Sequence, residues 1–266
     1  MANTALLEIT DGVATLTLNR PAALNALSVE MMQDLNAAAR TLVARKDVAV
    51  VVIAGAGEHF MAGGDLKDFA AHLHLSPEAR LVTFKAMIEQ WINPTVEILQ
   101  GLPQPVVAKV RGACAGFGLS LMMGCDLVVA ADSSVFTTAY SSIALSGDGG
   151  VSYLLPRIVG ARKAAELLLL ADRFDAAEAT RLGLVNRVVA SDVLDVEVDK
   201  LVARLKNGPR HTYGEIKRLL HASFETRLEA QLESEAEAFA RCSATHDFGE
   251  GVTAFLEKRK PGFRGG

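Results

Sequence analysis

The stretch Val106–Asp132, VVAKVRGACAGFGLSLMMGCDLVVAAD, decides how the chain is read. Val106–Val110 is an apolar strand that enters a turn built on Gly112, Gly116 and Gly118. A short apolar helix follows over Leu119–Met123, then a second buried strand over Leu127–Ala131. No charged residue stands between Arg111 and Asp126. A strand that turns through glycines into a buried helix start leaves backbone N–H groups without acceptors, pointing inward. Such donors suit a developing negative charge. A core turn whose glycines only permit close packing would show the same pattern.

Upstream, Val48–Ala54 is a continuous apolar strand of the kind buried on both faces. Gly55 and Gly57 follow it, but the third glycine is missing and no helix opens there, which excludes a dinucleotide loop. Instead MAGGDL (Met61–Leu66) leads into a polar helix start, a second place for free N–H groups. Ala5–Ile9 and Val13–Leu18 read as a hairpin around Asp11-Gly12. Ser28 caps a helix over Val29–Arg45 whose Met32, Leu35, Ala39 and Leu42 share one face. Leu66–Gln100 is mostly helical, with an irregular break near His72, His74 and Pro77. The two histidines have no acidic or cysteine partner at metal-binding spacing and read as a solvated helix end.

Downstream come helices over Ala161–Ala171 and Ala176–Leu182, the latter stopped by Gly183, and a final strand over Leu184–Val189. From Asp192 the pattern is wholly helical, and Leu228–Ala240 is amphipathic and acidic, as an oligomer contact would be. The unit of strand, glycine turn and helix start occurs at Val48–Phe69 and Val106–Met123, with a looser version at Val13–Leu35. Such repetition fits a superhelix in which each turn covers the core of the next.

With 266 residues, 50% of them hydrophobic, the chain can bury a large core. A net charge of −4 argues against a nucleic-acid partner, and the short basic segment Leu256–Arg264 reads as a solvated tail. Three cysteines without a CxxC pair fit buried thiols in a reducing compartment. No signal-peptide pattern and no uncharged run of the ~18 residues a membrane span needs is present, so the expectation is a cytoplasmic protein with no membrane partner.

Two buried donor turns converging on one oxygen would stabilise an oxyanion by several kcal/mol, on the order of 3. Asp148 is the one acid in the run from Ser133 to Leu155. Burial there would raise its pKa and make it a base near neutrality, although a turn or N-cap aspartate would also suit GDGG. There is no GxSxG around Ser120 or Ser146, no Walker loop and no HExxH.

NRPAALNAL, VVVIAGAGEHFMAGGDL, KVRGACAGFGLSLMMGCDLVVAADSSVF and RFDAAEATRLGLVNRVV together resemble the enoyl-CoA hydratase/isomerase (crotonase) superfamily over nearly the whole chain. The resemblance implies an α/β fold, a crotonase-like ββα superhelix (1–195), and a C-terminal helical oligomerisation region (196–266). It implies an acyl-CoA thioester substrate and no separate cofactor, coenzyme A being part of the substrate. It also implies a homotrimer or dimer of trimers. The thioester oxygen would lie between the N–H groups of Gly64 and Phe117. Ala62, Gly63, Asp65 and Leu66, with Ala23 and Leu24, match positions that hold the adenine and pantetheine portions.

Departures from the family pattern bear on activity. Hydratases of this family use two glutamates; Ser120 stands at the first position, and no carboxylate stands near Ala139 and Tyr140 at the second. Water addition is therefore not expected. The segment around Asp148 resembles an isomerase-like branch in which one aspartate moves the proton, converting a 3-enoyl-CoA to the conjugated 2-enoyl-CoA, with Phe117 and Tyr140 walling the acyl pocket. The alternatives are nucleophilic chemistry at the same aspartate, as in relatives that dehalogenate 4-chlorobenzoyl-CoA, and a non-catalytic acyl-CoA-binding protein.

Overall fold

The computed structural model describes residues 3–265. Strands β1 (Ala5–Thr10) and β2 (Val13–Leu18) pair antiparallel, with Thr10 opposite Val13. Asp11 and Gly12 turn between them with φ of 50° and 73°, the two positive angles that a tight hairpin requires. Helix α1 (Val29–Val43) follows, its first turn capped by the Ser28 hydroxyl, which accepts from the Met31 N–H. Strand β3 (Val50–Gly55) then lies parallel to β2.

Helix α2 (Leu66–Ala71) and helix α3 (Pro77–Met87) flank the expected break. His72 and His74 each bond through Nδ1 to a carbonyl of the preceding turn, closing the end of α2. A wide π-turn over Ile88–Ile92 joins α3 to α4 (Asn93–Gly101). Pro94, which has no N–H to give the preceding turn, stands just beyond it.

The stretch Val106–Asp132 then forms β4 (Val106–Val110), β5 (Ala113–Ala115), α5 (Phe117–Met123) and β6 (Leu127–Ala131). Helix α5 starts two residues earlier than its apolar run predicts. Gly116, at φ 52° and ψ −125°, reverses the chain so sharply that Phe117 already takes the first helical position. Strand β7 (Val135–Thr137), helices α6 (Val151–Val159) and α7 (Ala161–Leu170), strand β8 (Phe174–Asp175), helix α8 (Ala176–Arg181) and strand β9 (Arg187–Val189) complete this part. Strand β9 is shorter than expected, because Leu184 and Val185 are buried as a loop whose N–H groups bond back to Ala179.

The main sheet has the order β1-β2-β3-β4-β6-β9, parallel except for the first pair, and β5, β7 and β8 form a second, small sheet. Successive residues of a strand face opposite sides. Val51 and Ile53 of β3 accordingly join the large core with α1 and α5, while Val50 and Val52 join a second core with Leu194, Val198 and Val202 of α9 (Leu194–Lys206). Burial on both faces is the reason VVVIA reads as an unbroken apolar run. Helix α9 thus covers the sheet, and the expected boundary between 195 and 196 falls inside its first turn.

Helices α10 (Arg210–Ala222), α11 (Leu228–Ser243) and α12 (His246–Leu256) follow. Lys217 of α10 anchors this layer to the sheet: its Nζ lies 2.6 Å from Asp126 Oδ2 and donates to the Gln104 carbonyl at 2.8 Å. The basic segment after α12 is not a free tail. Arg259 pairs with Glu250 and Glu257, the Gly262 N–H donates to Glu250, and the Arg264 and Gly265 N–H groups donate to buried Asp247. The α12 carboxylates Asp247 and Glu250, nine to eighteen residues before the groups they bind, hold the segment in place. Among the described residues no helix is long and apolar enough to cross a membrane.

Candidate active site

A short parallel contact brings the two glycine turns together. The Ala115 N–H donates to Met61 O at 2.8 Å and the Met61 N–H to Ala113 O at 3.0 Å. A side chain at Gly118 would put its Cβ 2.6 Å from Met61 O, so only glycine lets α5 start this close to the other turn. Across the junction, Leu27 N–H donates to Gly63 O and Asp65 N–H to Leu27 O. The Gly64 N–H between them, and the Phe117 N–H at the head of α5, have no acceptor among the described residues. These are the two donors expected from the sequence.

Both turns line one apolar cavity of about 270 Å³, together with Tyr140 and Asp148. Its far wall is made by α2, α3 and the π-turn: Phe69 and Phe84 meet edge to face at 5.5 Å, beside Met87, Ile88 and Ile92. Asp148 is the one charged side chain in this lining among the described residues.

The loop carrying Asp148 leaves little freedom around it. Gly147 and Gly149 have φ of 107° and 60°. A Cβ on Gly149 would sit 2.8 Å from the Phe117 ring and 2.9 Å from Ser120 Cβ. The Tyr140 hydroxyl donates to Asp148 Oδ1 at 2.7 Å. Ser120 Oγ lies 3.0 Å from the Tyr140 hydroxyl and donates to the Asp148 carbonyl at 3.0 Å. Burial raises the Asp148 pKa above the ordinary carboxylate value, and the Tyr140 hydrogen bond works against that rise. Burial, followed by the neighbouring Asp148 charge, raises Tyr140, so its hydroxyl keeps its proton.

The remaining expected residues divide by position. Ala62, Gly63 and Leu66 line the cavity with Gly64. Asp65 does not: its carboxylate caps α2 through the Lys67 N–H and pairs with Arg20 at 2.8 Å. Burial works to raise its pKa, but Arg20 and the helix N–H groups leave it lowered, as a held anion. Ala23 and Leu24 sit on the turn outside the cavity, where the Leu24 carbonyl accepts from the Ala62 N–H.

The contacts of three residues that matter to this arrangement escape a reading of the sequence. Asn25, fully buried, accepts from the Arg20 N–H and donates to the carbonyls of Ala56 and His59, clamping the first turn to the second. Arg20 completes the clamp through Asp65. Ser120 faces Tyr140 and Asp148 rather than the cavity. A polar residue inside an apolar run, as in PAALNALS and GLSLMM, is the signal that points to Asn25 and Ser120.

Comparison with known proteins places the chain in a family. The family model described as enoyl-CoA hydratase/isomerase matches residues 8–266. A Rhodobacter capsulatus protein named "Probable enoyl-CoA hydratase" is 36% identical over 97% of this chain and 96% of its own. The 1,2-epoxyphenylacetyl-CoA isomerase of Escherichia coli is 34% identical over 98% of each. The crystal structure of an enoyl-CoA hydratase from Mycobacterium smegmatis superposes with a TM-score of 0.88 at 35% identity, covering 97% of this chain and 98% of that one. The chain therefore belongs to the enoyl-CoA hydratase/isomerase family and has its crotonase fold.

Proposed function

We propose that the chain is an acyl-CoA isomerase that moves the double bond of a 3-enoyl-CoA into conjugation with the thioester. The observation that carries this reading is the single carboxylate, Asp148, facing an apolar cavity that also holds two free backbone donors. Asp148 takes a proton from C2, and the charge that develops on the thioester oxygen is received by the N–H groups of Gly64 and Phe117. The protonated Asp148 gives the proton to C4, yielding the 2-enoyl-CoA and restoring the carboxylate. One acid suffices because one proton moves between two carbons of the same substrate.

A raised pKa suits both steps, since a stronger base removes the proton more readily while its acid can still return it near neutral pH. Hydration asks for a group to orient and deprotonate water, and among the described residues the lining offers no second carboxylate for it. Family members named as hydratases keep that activity as the competing outcome of the test.

The C-terminal layer supports a further part of the reading, self-association through α11 and α12. Phe239, Phe255 and Leu256 stand 74%, 84% and 74% exposed, more apolar surface than an isolated chain would leave in water.

The deciding experiment gives purified protein a panel of 3-enoyl-CoA and 2-enoyl-CoA esters. Growth of conjugated-thioester absorbance from the 3-enoyl esters is expected. Loss of that absorbance from the 2-enoyl esters, with 3-hydroxyacyl product, would make the chain a hydratase. Chloride release from a halobenzoyl-CoA would assign Asp148 a nucleophilic role, and tight binding without turnover of any ester would make the chain a binding protein.

A further inference from the structure

Tyr140 and Ser120 make three close polar contacts with each other and with Asp148, served by two hydroxyl protons that can be counted. The Tyr140 hydroxyl has one proton, and the short 2.7 Å contact to Asp148 Oδ1 takes it. Ser120 has one proton, with the Asp148 carbonyl and the Tyr140 oxygen both at 3.0 Å as acceptors. Tyr140 is 8% exposed and Ser120 1%, so water does not compete for these bonds. Oδ2 of Asp148, by contrast, accepts no hydrogen bond from any other described residue, is not fully buried, and belongs to a residue that lines the cavity. The two oxygens of one carboxylate are thus unequal before any substrate arrives.

These contacts also span the two halves of the site. Ser120 stands one helical turn after Phe117 on α5, so the anchor of the base and the oxyanion donor ride on the same rigid element. Ala139, at φ 58°, turns Tyr140 toward the loop, and a Cβ on Gly147 would lie 3.4 Å from the Tyr140 ring. Among the described residues no other charged group lines the cavity beside the carboxylate. Helix α5 is uncharged, and the titratable residues of α6, Tyr153 and Arg157, stack on each other at 3.5 Å and line a different cavity.

We propose that Tyr140, held by Ser120, is a positioning residue that ties Oδ1 of Asp148 and leaves Oδ2 as the one oxygen that takes and returns the substrate proton. Proton removal and return then occur on one face of the acyl chain, with the tyrosine keeping its own proton throughout. This inference rests on the isomerase reading, and its test separates the two. The carboxyl carbon of Asp148 is followed by carbon NMR across pH in labelled protein, its signal identified by its absence in Asp148→Asn. In Tyr140→Phe the titration midpoint is expected to rise by about one pH unit, the size of one hydrogen bond to a charged group. Ser120→Ala should move it the same way by less, which gives a second reading that keeps the tyrosine ring in place.

In turnover, Tyr140→Phe should lower kcat about tenfold or more with KM little changed, and move the acid limb of the pH profile upward by the same amount as the NMR midpoint. With substrate deuterated at C2, the share of label recovered at C4 should fall in Tyr140→Phe, because the freed carboxyl can rotate and lose it. An Asp148 midpoint identical in wild type and Tyr140→Phe overturns the proposal. So does unchanged label transfer together with unchanged kcat. A wild-type protein inert toward every 3-enoyl-CoA would sink the isomerase reading, whereas the carboxyl titration decides the Tyr140 hold by itself.

Discussion

Gly63 and Gly116 touch backbone to backbone: a Cβ on Gly116 would lie 3.2 Å from Gly63 Cα, and one on Gly63 3.6 Å from Gly116 Cα. The residue after each glycine, Gly64 or Phe117, carries a free N–H, so this contact fixes the spacing of the donor pair.

Gly116→Ala adds a methyl group at that contact and places a side chain at φ 52°, ψ −125°, a region that excludes L side chains. A loss of about 1–3 kcal/mol of stability is expected. The kcat for the isomerase reaction should fall further than that loss explains, because the donors part. Thermal melting and steady-state kinetics on the same preparation check this; a normal kcat would mean that the contact does not set the donors.

Asp148→Asn keeps the shape of the loop and removes the carboxylate proposed as the base. Isomerisation should drop by about 10²–10⁴-fold. Acyl-CoA binding, followed by calorimetry with a saturated thioester, should persist. Full retained activity would assign the proton transfer elsewhere.

The same variant reports on stability. The folded-state pKa of Asp148 lies above its unfolded value, so the group favours folding only while protonated, and that contribution is lost as pH rises through the folded value. Asp148→Asn is neutral at every pH. Its Tm should exceed that of the wild type at neutral pH, and the gap should close as pH falls toward the ordinary carboxylate value. A gap that widens on acidification would contradict the raised pKa.

Lys217 and Asp126 hold the C-terminal layer to the starts of β4 and β6, since Asp126 Oδ2 also accepts from the Val106 N–H at 2.7 Å. Lys217→Ala leaves this carboxylate short of its cation in a mostly buried place and should cost about 3 kcal/mol. Urea denaturation measures it, and Lys217→Met, which keeps the apolar stem, should lose less of the packing.

Self-association predicts that Phe255→Asp lowers the mass seen by light scattering without changing the far-ultraviolet helix signal. An already monomeric wild type at working concentration would refute the interface.

Much of this protein was legible before its structure. Apolar strands, glycine turns and capping residues act over a few neighbours, so β1 to β4, β6, α1 and the two donor turns follow from local pattern. Continuous apolarity marked β3 as buried on both faces, and the family motifs singled out Gly64, Phe117 and Asp148.

Tertiary structure decided what those residues face. Asp65 and Ser120 stand beside the chemistry in sequence, yet Asp65 turns to Arg20 and the start of α2, and Ser120 turns to Tyr140. Tyr140, expected as a wall, lines the cavity and also donates to Asp148. The basic tail folds back on α12, and α9 joins the sheet. Each of these contacts joins groups brought close only by the turns between them. Hydrogen-bond direction and burial depend on that approach, which residue type alone does not encode. The stretch Val106–Asp132 by itself determined a strand, a glycine turn and a buried helix start. Packing of Ser120 from that stretch against Tyr140 and Asp148 decided where that carboxylate is held.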